Sequence, residues 1–128
     1  MLCIALLFHV PRGTVEFVYG TCGLEGVAVI ACESQWNERA FRHEPRGHTS
    51  WGYWQIDDEW HEQHRDDVLL HLAAGAAIWQ QCMDAALGNF TLAVRLYNSG
   101  SRTKAIAWSE QVRRFRDSLA LYVWRHVR

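Results

Sequence analysis

The 128-residue sequence has only two prolines, no C-x-x-C pair, no G-x-S-x-G element, no internal repeat and no low-complexity segment. Scarce proline leaves long stretches free to be helical. Without C-x-x-C, the four cysteines (Cys3, Cys22, Cys32, Cys82) lack metal-site spacing, and their even number leaves one or two disulfides open with no pairing specified. The missing G-x-S-x-G removes the nucleophile-elbow hydrolases, and Ser99 and Ser101 have no paired base in the pattern. His61-Glu62-Gln63-His64 falls one residue short of the H-E-x-x-H zinc motif, so no metal is expected. No uninterrupted apolar run reaches the roughly 20 residues of a membrane span, which predicts no integral membrane segment. The apolar opening, Met1 to Val10, lacks a basic n-region and a convincing cleavage site, and reads as a packed N-terminal helix rather than a signal peptide. A formal net charge of −1 argues against nucleic acid as a partner. Charge is nonetheless uneven: residues 101–128 carry net +5 and residues 1–100 net −6, read as a solvated basic face on a terminal helix.

What remains is the composition of one globular domain spanning residues 1–128, 49% hydrophobic, with seven tryptophans as the outlier. Tryptophans fill cores and also make flat ligand platforms. Helical periodicity predicts a short helix at Thr14–Tyr19, one from about Glu25 to Ser34, a long one over Val68–Leu87, a short one at Thr91–Tyr97 and a last one over Trp108–His126. Asp66 and Asp67 lie at the start of the Val68 helix, where the helix dipole favours acids. The segment Ser50–Ile56 is short, aromatic and broken by Gly52, and reads equally as turn, short helix or small strand. The fold class expected is all-α or nearly so.

The chain concentrates its chemistry between Val27 and Asp58. An apolar run, Val27-Ala-Val-Ile-Ala-Cys32, delivers Glu33 and Ser34 to the point where it stops, and the patch Trp51-Gly-Tyr-Trp-Gln-Ile56 follows. Two readings stand for Glu33. It is the solvated end of an amphipathic helix, or a carboxylic acid that an apolar surround keeps protonated, as a general acid for glycosidic cleavage requires. Asp57 likewise stands as a second carboxylate or, with Asp58, as the cap of a helix starting near Glu59.

Three stretches in order resemble the lytic transglycosylases (the soluble lytic transglycosylase domain) and the goose-type lysozymes. They are Val29-Ile-Ala-Cys-Glu33-Ser-Gln-Trp-Asn37, Gly52-Tyr-Trp-Gln-Ile56 and Leu96-Tyr-Asn-Ser-Gly100. The resemblance covers roughly Thr14–Gly100 and implies a lysozyme-like domain with a catalytic cleft. It implies that Glu33 is the single catalytic acid/base and that Ser34 supports the helix end. Gln55 would touch substrate from the cleft wall, Tyr97 would hydrogen-bond or orient Glu33, and Asn98 would bind the sugar N-acetyl region or hold the cleft. Tyr53 and Trp54 stand where the family has Leu-Met, and would add stacking surface for substrate. The implied reaction is transglycosylation of peptidoglycan glycan strands, without cofactor. Asp57 follows Gln55-Ile56 as an Asp does in goose-type lysozymes, so hydrolysis with Glu33 plus Asp57 is the alternative. A non-catalytic glycan-binding module on the same fold is the third reading. A wall substrate implies a monomer acting in the periplasm, outside the cell or on a virion.

Overall fold

The computed structural model describes residues 1–127. Helix makes up 65% of the protein, and a small three-stranded sheet completes it. The elements run α1 (Leu2–Phe8), α2 (Arg12–Ser34), β1 (Phe41–His43), a 3₁₀ turn at Pro45–Gly47, β2 (Thr49–Trp51), β3 (Ile56–Asp57), α3 (Val68–Ala85), α4 (Phe90–Ser99) and α5 (Ile106–Val127). The mainly helical expectation holds, but the sheet corrects a wholly helical one. The segment Ser50–Ile56, left open from sequence, lies within two strands and the tight turn between them.

Five consecutive residues of α2, Val27 to Ala31, are buried, so this half of the helix is enclosed on every side and is not amphipathic. It packs on α3 and α5, while α4 bridges α3 and α5. The helix expected over Thr14–Tyr19, ended by Gly20 and Gly23, runs on past Gly20, and the break falls at Gly23 (φ 66°, ψ −167°). Helix α2 is long and apolar enough to cross a membrane by length and composition only, as the core helix of a domain also is, and half of its apolar window is buried inside the domain. Helix α3 begins where the Asp67 side chain accepts the Leu70 amide, and Asn89 caps α4 in the same way through the Leu92 amide. All four cysteines are free thiols.

The sheet is antiparallel in the order β1-β2-β3. Its register sets Arg42 opposite Ser50 and Ser50 opposite Asp57, one row across three strands. Phe41 and Trp51 form the alternate row, where the Arg65 guanidinium lies 4.7 Å from the Trp51 ring and 5.4 Å from that of Phe41.

Two close approaches hold the β2–β3 turn to the helices. Gly52 (φ 82°) lies so near His71 that a Cβ there would stand 2.4 Å from its ring. His71 is buried between Gln63 and Trp54: its Nδ1 lies 2.8 Å from the Gln63 carbonyl, and its Nε2 accepts the Trp54 amide at 3.1 Å. Burial lowers its pKa, consistent with a neutral ring that donates at one nitrogen and accepts at the other. Trp54 lies flat over Gly75 of α3 and donates its indole N–H to the Leu72 carbonyl at 3.2 Å.

Candidate active site

Helix α2 stops just beyond Glu33 by an abrupt reversal. Gln35 (φ 53°) and Trp36 (φ 60°) are consecutive left-handed residues, a conformation that non-glycine residues rarely adopt. The Gln35 amide closes on the Ala31 carbonyl at 2.9 Å, and Ser34 Oγ donates to the Ile30 carbonyl at 3.1 Å. Trp36 is thereby folded back into the core, edge-on to Tyr53 at 5.7 Å between ring centroids. The outcome is a carboxyl group fixed at the wall of a cleft of about 890 Å³, whose lining includes Glu33, Gln55, Asp57, Tyr97 and Asn98. Sequence segments from α2, the β2–β3 turn, β3 and α4 thus meet at one place.

The Glu33 side chain is only 5% exposed. Burial raises its pKa to about 7, while the Arg42 guanidinium pulls down and the Glu44 carboxylate pushes up. Arg42 Nη2 stands 3.9 Å from Glu33 Oε2, beyond hydrogen-bonding distance, and its Nε bonds Glu44 Oε1 at 2.8 Å. Glu44 Oε1 also accepts Ser50 Oγ at 2.9 Å. Around neutral pH the site therefore holds a carboxyl group able both to give and to take a proton.

Several expectations are corrected here. Tyr53 (3% exposed) and Trp54 (0%) are core residues and offer no face to a ligand. Their place between Gly52 and Gln55 suggested a platform, but the turn points both rings inward. Tyr97 donates its hydroxyl to the Trp54 carbonyl rather than to Glu33. Burial first, and then the nearby Glu33 carboxylate, hold the phenol well above its ordinary pKa. Gln55 lines the cleft, but its Nε2 bonds the Ala40 and Gly52 carbonyls at 3.0 Å each, so it fastens the turn. No helix starts near Glu59: residues 58–67 are turns and loop, and His61 and His64 do not share a helical face. Asp57 Oδ1 accepts the Glu59 amide at 2.9 Å and lies 2.7 Å from His48 Nδ1. Asp58 accepts the amide and hydroxyl of Thr49 at 2.8 and 2.9 Å. His48, Asp57 and Asp58 are close enough to share an ion, but Asp58 has both oxygens engaged with Thr49, and Asp57 is held by His48 and the Glu59 amide.

Sequence reasoning missed Arg42, Glu44 and Trp60. The first two matter only through strand pairing, for which no local signal exists. Trp60 lines the same cleft and is 73% exposed, on a loop tied down by Gln63, whose Nε2 reaches the Ile56 and Thr49 carbonyls. An indole so exposed beside a cleft had a signal in its flanking charges, Asp57-Asp58-Glu59 before it and His61-Glu62 after, which exclude a core position. Compared with protein-family models, curated proteins and solved structures, the chain matches none.

Proposed function

We propose that this protein is a lysozyme-like enzyme that cleaves the β-1,4 bond between N-acetylmuramic acid and N-acetylglucosamine in peptidoglycan, with Glu33 as the single acid/base. The observation that carries the reading is a carboxyl group at the end of the enclosed half of α2, at the wall of a cleft of about 890 Å³, where burial raises its pKa to about 7. A group poised there is protonated often enough to donate and ionised often enough to accept. In the proposed reaction Glu33 gives its proton to the departing glycosidic oxygen. The resulting carboxylate then takes the proton of the sugar's own C6 hydroxyl as that oxygen closes on C1, which leaves a 1,6-anhydro end and restores the acid. The resemblance of the three motifs supports this choice, and Trp60 and Asn98 supply a ring face and an amide to the same cleft.

Hydrolysis is the second reading, because Asp57 belongs to the sheet row beside the cleft. Its Oδ1 is occupied by His48 and the Glu59 amide, which favours a role in bracing the sheet over one in holding water. Purified sacculi treated with the protein, followed by mass spectrometry of the released muropeptides, distinguish the chemistries. Anhydro ends support transglycosylation, reducing ends support hydrolysis, and no release by the parent protein removes both. The proposed setting is the cell wall, with no cofactor required.

A further inference from the structure

The reading of Glu33 as an acid leaves unexplained why a guanidinium should stand beside it. An arginine in full contact would hold Glu33 ionised and unable to donate. The sheet supplies the answer through period-two geometry: Arg42 and Glu44, two residues apart, both line the cleft, and Ser50 is the cross-strand partner of Arg42. Ser50 Oγ fixes Glu44, Glu44 takes Arg42 Nε at 2.8 Å, and the guanidinium is left 3.9 Å from Glu33. Arg42 is 55% exposed and sits on an edge strand, so nothing but Glu44 holds it at that distance among the ion pairs of the described residues.

We propose that Glu44 is a positioning residue: anchored by Ser50, it tethers Arg42 and prevents the guanidinium from closing on Glu33, so that the acid keeps its proton in the free protein. The inference rests on Glu33 being the acid of the proposed function. It separates Glu44 from a second catalytic carboxylate, since its partner is Arg42 rather than substrate.

The other titratable groups around Glu33 do not do this work. On α2, burial pushes the Cys32 thiol up to about 12, and on α3 it pushes Cys82 up to about 11, so both are neutral. Tyr97 of α4 is neutral and bonded to the Trp54 carbonyl. On the sheet side Asp57 is paired with His48, and His61 lies in the loop beyond it.

Carbon-13 NMR titration of the side-chain carboxyls in the whole, substrate-free protein tests the tether, with the Glu33 signal assigned by its loss in Glu33→Gln. Glu44→Gln is expected to lower the Glu33 midpoint by about one pH unit, in part through loss of Glu44's own charge and in part as Arg42 closes in, and Arg42→Gln to raise it by about as much. An equal drop in the Arg42→Gln background would assign it all to charge and overturn the tether. Ser50→Ala should move it in the same direction as Glu44→Gln but less, and Glu44→Asp should restore most of the parent value. In the Arg42→Gln background, Glu44→Gln should produce a smaller drop, since no guanidinium remains to be released. The alkaline limb of cleavage against pH should follow the same order. An unmoved or raised midpoint in Glu44→Gln overturns the tether, as does loss of cleavage at every pH with the Glu33 midpoint unchanged, which would make Glu44 a catalytic carboxylate. Because the titration needs no turnover, a parent protein that cuts no glycan sinks the proposed function while leaving the tether readable.

Discussion

The helical wall of the cleft sets the half-buried Ile78, Cys82, Leu96 and Tyr97 on the side of Glu33 and turns polar and exposed at Gln81, Asn98 and Ser99, whereas the sheet wall carries Arg42, Glu44, Ser50 and Asp57, from the exposed Arg42 to the buried Ser50. The two act on one carboxyl group in different ways. Burial sets the large upward displacement of the Glu33 pKa, and the charges of the sheet side, Arg42 and Glu44, trim it from either direction. Burial alone would hold Glu33 proton-bearing, and charge alone would leave it an ordinary carboxylate. The pairing of a dry wall with a charged one is what brings the group to about 7.

Removing the acid breaks the comparison outright. Glu33→Gln should reduce wall lysis by a factor of about a hundred or more while circular dichroism stays unchanged, the usual size for loss of a general acid. The same variant reads the cost of the dry wall. Glu33 binds its proton more tightly folded than unfolded, so between pH 4.5 and about 7 the folded state holds the extra proton. Stability is therefore fully present below the unfolded value and falls as pH rises through the folded one, by on the order of 3 kcal/mol in total. Glu33→Gln should abolish that slope in urea denaturation and be the more stable protein at pH 8. A slope that survives the substitution would show that Glu33 is not desolvated.

The helical wall is sharpened by Gly75→Ala. A Cβ would stand 2.1 Å from the Trp54 ring, so the variant should lose about 1–3 kcal/mol in a denaturant melt through overpacking. Because Trp54 accepts the Tyr97 hydroxyl through its carbonyl, the displacement should also reach the cleft. On the open side, Trp60→Ala should leave the melt unchanged and weaken chitooligosaccharide binding by about fivefold, roughly 1 kcal/mol of lost ring contact, measured by calorimetry in the Glu33→Gln background. Unchanged affinity would remove Trp60 from the substrate surface. Smallest of all, Asp57→Asn should leave the ratio of anhydro to reducing ends unaltered, since His48 and the Glu59 amide both engage Oδ1 of that carboxylate and hold it to the sheet.

Legibility followed the range of the interactions. The long helix α3 with Asp67 at its cap, the enclosed run ending at Glu33 and the Tyr97-Asn98 corner were all readable, because periodicity, capping and apolar runs are local properties. The strands were not: β1, β2 and β3 are three, three and two residues long, too short for an alternating pattern to declare itself. Tyr53 and Trp54 were misread for a related reason. Aromatic residues suit a core and a platform equally, and only the approach of Gly75 and His71 decides between them.

Order along the chain thus determined that an apolar run would deliver a carboxyl group to the point where it stops, and that Asn98-Ser99-Gly100 would close the helix carrying Tyr97. Which groups would surround that carboxyl was decided by tertiary structure alone. The Arg42–Ser50–Asp57 row exists only once three strands align, and Glu44 reaches Arg42 only on the resulting face. Electrostatic tuning depends on separations of a few ångströms between segments distant in sequence, and no one-dimensional pattern encodes those distances.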